Sequence, residues 1–179
     1  MSYPDWFFYP DRSRPPAWAH QLTTVVSAVR SEIDSMKVDG LTSDRVLAHL
    51  RPGLEDMGFV VERGKRADEK VRRPVLFGQR ASERVAYEVD AFHDILGIVL
   101  EVEAGRGALG NAVYRDLIRA SLIIDAQFLA LGVMQEYRYR SRGKLMHYGS
   151  YRDTTSTLDA VYASGRMRLP FEGVLVFGY

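Results

Sequence analysis

Residues 85–103, VAYEVDAFHDILGIVLEVE, constrain this chain more than any other stretch. Two period-two runs flank a short polar break. In the first, Val85, Tyr87, Val89 and Ala91 share one face, while Glu88, Asp90 and Phe92 share the other. β-Branched and aromatic residues at that period predict a strand. His93-Asp94 and Gly97 mark a turn. Residues 98–103 then resume the alternation, with Ile98, Leu100 and Val102 on one face and Val99, Glu101 and Glu103 on the other. Folded back as a hairpin, the two runs bring Asp90 towards Glu101 and Glu103 across the ladder. Strands this apolar belong at the centre of a sheet, where three carboxylates repel one another unless a cation neutralises them. A hard divalent ion with oxygen ligands suits such a site. The plainer reading of the same residues is a strand with one solvated acidic face.

The chain has 179 residues, enough for one domain with a substantial core. It contains no cysteine, which rules out disulfides, thiolate nucleophiles and Cys-based zinc sites and suits a cytoplasmic protein. A net charge of +1 gives no global attraction to nucleic acid, so any basic surface must be local. No apolar run approaches the ~20 residues of a membrane span. The first eight residues lack the basic region and apolar core of a signal peptide.

Along the chain, residues 1–16 carry four prolines among five aromatics, which forbids regular helix and suggests an arm packed on the domain or on a partner subunit. Residues 17–37 have helical period, with Trp18, Leu22, Val25, Val26, Val29, Ile33 and Met36 as the apolar stripe. A second helix starts at Thr42 or Ser43, with a kink expected at Pro52-Gly53, and residues 59–63 read as a strand. Residues 64–84 are the most basic part; Arg72 and Arg73 lie there beside a short strand at 75–77. After the carboxylate hairpin comes a glycine-rich connection at 104–110, which lacks the Gly-Lys-Ser/Thr end of a phosphate-binding loop. A long helix is expected over 112–131, ended by Gly132, then a strand over 133–139. Arg138, Arg140, Arg142 and Lys144 interleave with Tyr137 and Tyr139, which suits either a loop along a nucleic-acid backbone or a hairpin edge blunted by charge. A short helix to Gly165 and a buried strand over 173–179 close the chain.

The order helix, strand, carboxylate hairpin, helix, strand resembles the core of the PD-(D/E)xK nuclease superfamily, in particular type II restriction endonucleases of the BamHI and BglII kind. Asp90 matches the motif's opening Asp and Glu101 its second acidic position. Glu103 stands where most members carry Lys; enzymes of the BamHI kind also read Glu-x-Glu here. The likeness extends through residues 89–92, 97–103 and 168–175, roughly the C-terminal two-thirds of the chain. It implies an α/β (α+β) restriction-endonuclease-like fold, a central mixed β-sheet flanked by helices, in a single domain over 1–179. It further implies Mg²⁺ (or Mn²⁺) held by Asp90, Glu101 and the Val102 carbonyl, with Glu103 orienting or deprotonating water. Phosphates would be held by Arg106 and the basic segments that contain Arg72, Arg73, Arg138, Arg140, Arg142 and Lys144. Glu55 would match an accessory acidic residue. The implied substrate is double-stranded DNA, cut by a homodimer whose two-fold axis matches that of the site.

Two other readings of the chain stay open at this point. One is a catalytically inactive relative of the same fold that binds nucleic acid or a protein. The other is an unrelated α/β domain with a solvated acidic strand.

Overall fold

In the computed structural model, residues 3–105 and 111–179 are described. They form ten strands and five α-helices. Six strands form one mixed sheet in the order β1 (Asp5–Tyr9), β10 (Gly173–Gly178), β7 (Phe128–Val133), β6 (Ile98–Glu103), β5 (Ala91–His93) and β2 (Val60–Val61). The three central strands, β10, β7 and β6, are parallel; the flanking pairs are antiparallel. Two further antiparallel ribbons stand outside the sheet: β3 (Val71–Phe77) with β4 (Glu83–Val89), and β8 (Tyr137–Ser141) with β9 (Lys144–Tyr148).

Both faces of the sheet are covered, which explains why its central strands are apolar at nearly every position. On one face α1 (Ala17–Ala28) and α3 (Ser43–Asp56) bury Leu22, Val26, Leu50 and Leu54 against Ile98, Leu100, Leu175 and Phe177. On the other, α4 (Ala112–Ser121) and α5 (Ser150–Ser164) bury Leu117, Ala120 and Leu158 against Val99, Leu129, Leu131, Val174 and Val176. The chain is therefore a mixed α/β protein with a central sheet flanked by helices. No helix among the described residues is long and apolar enough to cross a membrane.

Several expectations need correction. The helix expected over 112–131 ends at Ser121, and Phe128–Val133 is a strand in the middle of the sheet, with Gly132 inside it. Gly132 is there because a Cβ would lie 2.5 Å from Cζ of Phe177. The strand expected over 133–139 divides accordingly: its start belongs to β7, and Tyr137 opens the β8–β9 ribbon. The first helix breaks at Val29 (φ −108°, ψ 22°), after which Arg30–Ile33 make one further turn, α2, and Met36 is exposed. The strand expected over 59–63 is only Val60–Val61. The N-terminal arm contains an edge strand, with Trp6 and Phe8 packed towards one core and Tyr9 in the other. Pro52 stays inside an unbroken α3, whose start is capped by Thr42: its Oγ1 accepts from the Arg45 N–H at 3.2 Å.

Candidate functional site

The expected strand over 85–92 is two strands that meet at Asp90. β4 belongs to the outer ribbon and β5 to the main sheet, so the chain bends at this residue. β5 and β6 pair as the expected hairpin, with Ala91 opposite Leu100 and His93 opposite Ile98. One further step of that register sets Asp90 opposite Glu101. The bend ends the backbone ladder there, and the Asp90 side chain takes over: its Oδ2 accepts the Val102 N–H at 2.7 Å. The N–H and C=O of one strand residue point the same way, so the Val102 carbonyl is directed to the Asp90 side as well. The turn of the hairpin is held from below, where Gly97 (φ +60°) accepts N–H bonds from Gln127 and Phe128. A Cβ on Gly97 would meet the Asp125 carbonyl at 2.4 Å.

Glu103 stands at the end of β6, level with Val133 of β7. Arg115, on the first turns of α4, forms an ion pair with the Glu103 carboxylate and donates from Nε to Asp116 Oδ1 at 3.0 Å. Asp116 is buried, and its Oδ2 has no hydrogen-bond partner. Arg119, one turn on, donates to the Glu88 carbonyl at 3.2 Å and lies over the Tyr87 ring. Four carboxyls (Asp90, Glu101, Glu103 and Asp116) thus share one neighbourhood with two guanidiniums, Arg115 and Arg119.

Burial dominates the electrostatics. It pushes Asp90 up to about 7, against the Val102 hydrogen bond and with help from the charges of Glu62 and Asp116. Burial also raises Glu101 well above the carboxylate range, and Asp90 and Asp116 raise it further while Arg119 opposes. Glu103 is pushed up to about 7 by burial and by the neighbouring Asp116 carboxyl, against the pull of Arg115. These groups titrate as a set, and a positive charge among them would lower them all.

The donor set suits a hard cation: Asp90, Glu101 and the Val102 carbonyl offer oxygens only, and the orphaned Asp116 oxygen marks a neighbourhood short of positive charge. Among the described residues no three His, Asp or Glu side chains are gathered closely enough to ligate one ion by themselves. Any cation would therefore take at most two of these carboxylates, with backbone or solvent oxygens completing its shell.

The other expected residues are dispersed. Glu55 lies on the last turn of α3 and pairs with Arg63 at 2.9 Å. The opposite end of that helix touches the site, where Ser43 Oγ accepts the Ala104 N–H, so Glu55 is about 18 Å further along the helix axis. Glu62 and Asp44 are the nearer acidic neighbours of Asp90. Arg72 pairs with Glu83; Arg73 pairs with Asp94 at 2.7 Å and stacks on Phe92, so both serve the ribbon. Arg138 is tied to Asp39 and to the Ser35 carbonyl. Arg140, Arg142 and Lys144 are exposed in the β8–β9 ribbon. Arg106 lies outside the described residues. Arg115 and Asp116 are the site residues that the sequence reading missed. Asp116 falls three residues after Val113 and four before Ala120, on the apolar side of α4, and an acid in that position was the available signal.

No family model, no curated protein and no solved structure matches this chain.

Proposed function

We propose that this chain is a divalent-cation-dependent endonuclease of restriction type, with a PD-(D/E)xK-like core, that hydrolyses phosphodiester bonds in double-stranded DNA. The observation that carries this reading is the meeting of Asp90 and Glu101 where the hairpin ladder opens, with the Val102 backbone turned to the same side. Asp90, Glu101 and the Val102 carbonyl would hold Mg²⁺ or Mn²⁺, which supplies charge neutralisation at the phosphate and an acidified water. Glu103, two residues along β6 from Glu101, would orient that water or take its proton. Arg115 positions the Glu103 carboxylate and leaves a guanidinium beside it for the charge that develops on phosphate oxygens. A homodimer would present two such sites to the two strands.

A second reading is a non-cleaving relative that binds nucleic acid or protein. It is favoured by one observation: Arg115 already pairs with both Glu103 and Asp116, so one of the cluster's negative charges is balanced without a metal. A cleavage assay on mixed long DNA separates the two readings. With Mg²⁺ and then Mn²⁺, discrete fragments that vanish in Glu101→Ala are expected. Intact DNA with wild-type protein, in the presence of metal that raises its melting temperature, would leave the second reading standing.

A further inference from the structure

Residues 140–147, the outer half of the β8–β9 ribbon, are exposed on both faces. A two-stranded ribbon left uncovered is only marginally stable by itself, and this one is fastened at its base. Tyr137 stacks on Tyr139 with centroids 5.3 Å apart, Arg138 is held by Asp39, and Tyr148 bonds Asp153. Beyond that base, Arg140, Arg142 and Lys144 have no ion-pair partner among the described residues, whereas Arg138 and His147 each have one. The register pairs Arg140 with Leu145 and Ser141 with Lys144, which sends the Arg140 and Lys144 side chains to opposite faces. Arg142 (φ 49°) and Gly143 (φ 77°) form the tip, both left-handed as a tight two-residue hairpin turn requires. The ribbon springs from the carboxylate end of the sheet: Val133, level with Glu103, precedes Tyr137 by only a short link.

We propose that the β8–β9 ribbon is the element with which this protein grips duplex DNA. It enters the major groove tip-first, with Arg142 towards the base edges and Arg140 and Lys144 towards the two phosphate backbones. The dimensions agree. The four exposed residues of β9, Lys144–His147, at ~3.3 Å each extend about 13 Å, and the major groove is about 8.5 Å deep and wide enough, at about 12 Å, for a two-stranded ribbon. The charge agrees too, because a chain of net charge +1 needs a local cationic element to approach a polyanion. The choice of DNA rests on the nuclease reading; the grip itself needs no metal and is tested without one.

The test is fluorescence anisotropy of a labelled 30-bp mixed-sequence duplex in EDTA, from 50 to 200 mM salt, for wild type and for the triple variant Arg140→Ala/Arg142→Ala/Lys144→Ala. Losing the two phosphate contacts of Arg140 and Lys144 should flatten the salt slope by about 1.8, so wild type loses about 12-fold more affinity across that range than the variant does. An RNA duplex of the same sequence, whose major groove is too narrow for the ribbon, should bind several-fold more weakly. Equal salt slopes, equal RNA and DNA affinity, or capture by phosphatidylserine vesicles in place of duplex would each overturn the proposal. The three side chains are exposed, so an unchanged melting temperature is the folding control. Metal-free binding lost in the triple variant, without cleavage in Mg²⁺, would sink the nuclease reading and keep the ribbon. Unimpaired cleavage by the triple variant would do the reverse.

Discussion

Asparagine at position 90 should make the protein more stable at pH 8 and leave it unchanged at pH 4. Asp90 has an ordinary value of 3.8 and is pushed up to about 7 in the fold, chiefly by burial. The unfolded chain therefore releases this proton near pH 4, while the folded chain keeps it until about pH 7. Between those values the unfolded state binds fewer protons, so stability falls as pH rises. This is opposite in sign to a salt-bridged aspartate. Each tenfold change in proton affinity is worth about 1.4 kcal/mol, which sets a ceiling of about 4 kcal/mol for Asp90 above pH 7. Because Glu101 and Glu103 titrate in the same field, about 2 kcal/mol is the expected gain for Asp90→Asn, whose side-chain oxygen still accepts the Val102 N–H. For a chain of this length that is a rise of about 4–8 °C in melting temperature. The assay is thermal unfolding followed by circular dichroism at pH 4, 6 and 8 in EDTA. An Asp90→Asn gain that is absent at pH 8, or equally large at pH 4, would refute the placement of a half-buried, proton-holding carboxyl at the hairpin mouth.

Three further outcomes follow from packing and pairing. Arg115→Ala removes the partner of buried Asp116 and of Glu103, and should cost about 2 kcal/mol at pH 8 but less at pH 5, where Glu103 is protonated; urea unfolding at both pH values reads the difference. Gly132→Ala drives a methyl into the Phe177 ring and should cost about 1–3 kcal/mol, measured by the same denaturation, with Gly132→Ala/Phe177→Leu recovering part of it. Thr42→Ala removes the cap of α3 and should lower stability by about 1 kcal/mol, whereas Thr42→Ser should retain most of it.

The carboxylate hairpin was legible because one face of each strand is polar, so period two survives in the sequence and fixes which residues meet. β7 was not legible for the opposite reason. Phe128–Val133 is covered on both sides, and a continuous apolar run following Leu122, Ile123 and Ile124 cannot be told from the end of a helix by periodicity alone. What ends α4 is tertiary: the segment at 125–127 must turn to meet Gly97 under the hairpin. The edge strand Asp5–Tyr9 hid behind its flanking prolines, which exclude helix yet are tolerated at a sheet edge. Within the site, acidic residues on strands were readable as a set. Glu55 was not, because its helix presents Ser43, three turns away, to the hairpin. The partners of Arg72, Arg73 and Arg138 lie 11, 21 and 99 positions away in sequence, so which arginines stay unpaired is settled only by the fold.

β10 lies between β1 and β7, and its position sets an order of events during synthesis. Asp5 of β1 faces Gly178, so the first strand has no neighbour until the far end of this chain has left the ribosome. At about 5–20 residues per second that wait is roughly ten to thirty seconds. For its duration Trp6, Phe7 and Phe8 are open to any passing strand, joined over the last forty or so residues of synthesis by the apolar edge of β7. Newly made chains should therefore depend on a holding chaperone, and slowing translation should lengthen that dependence.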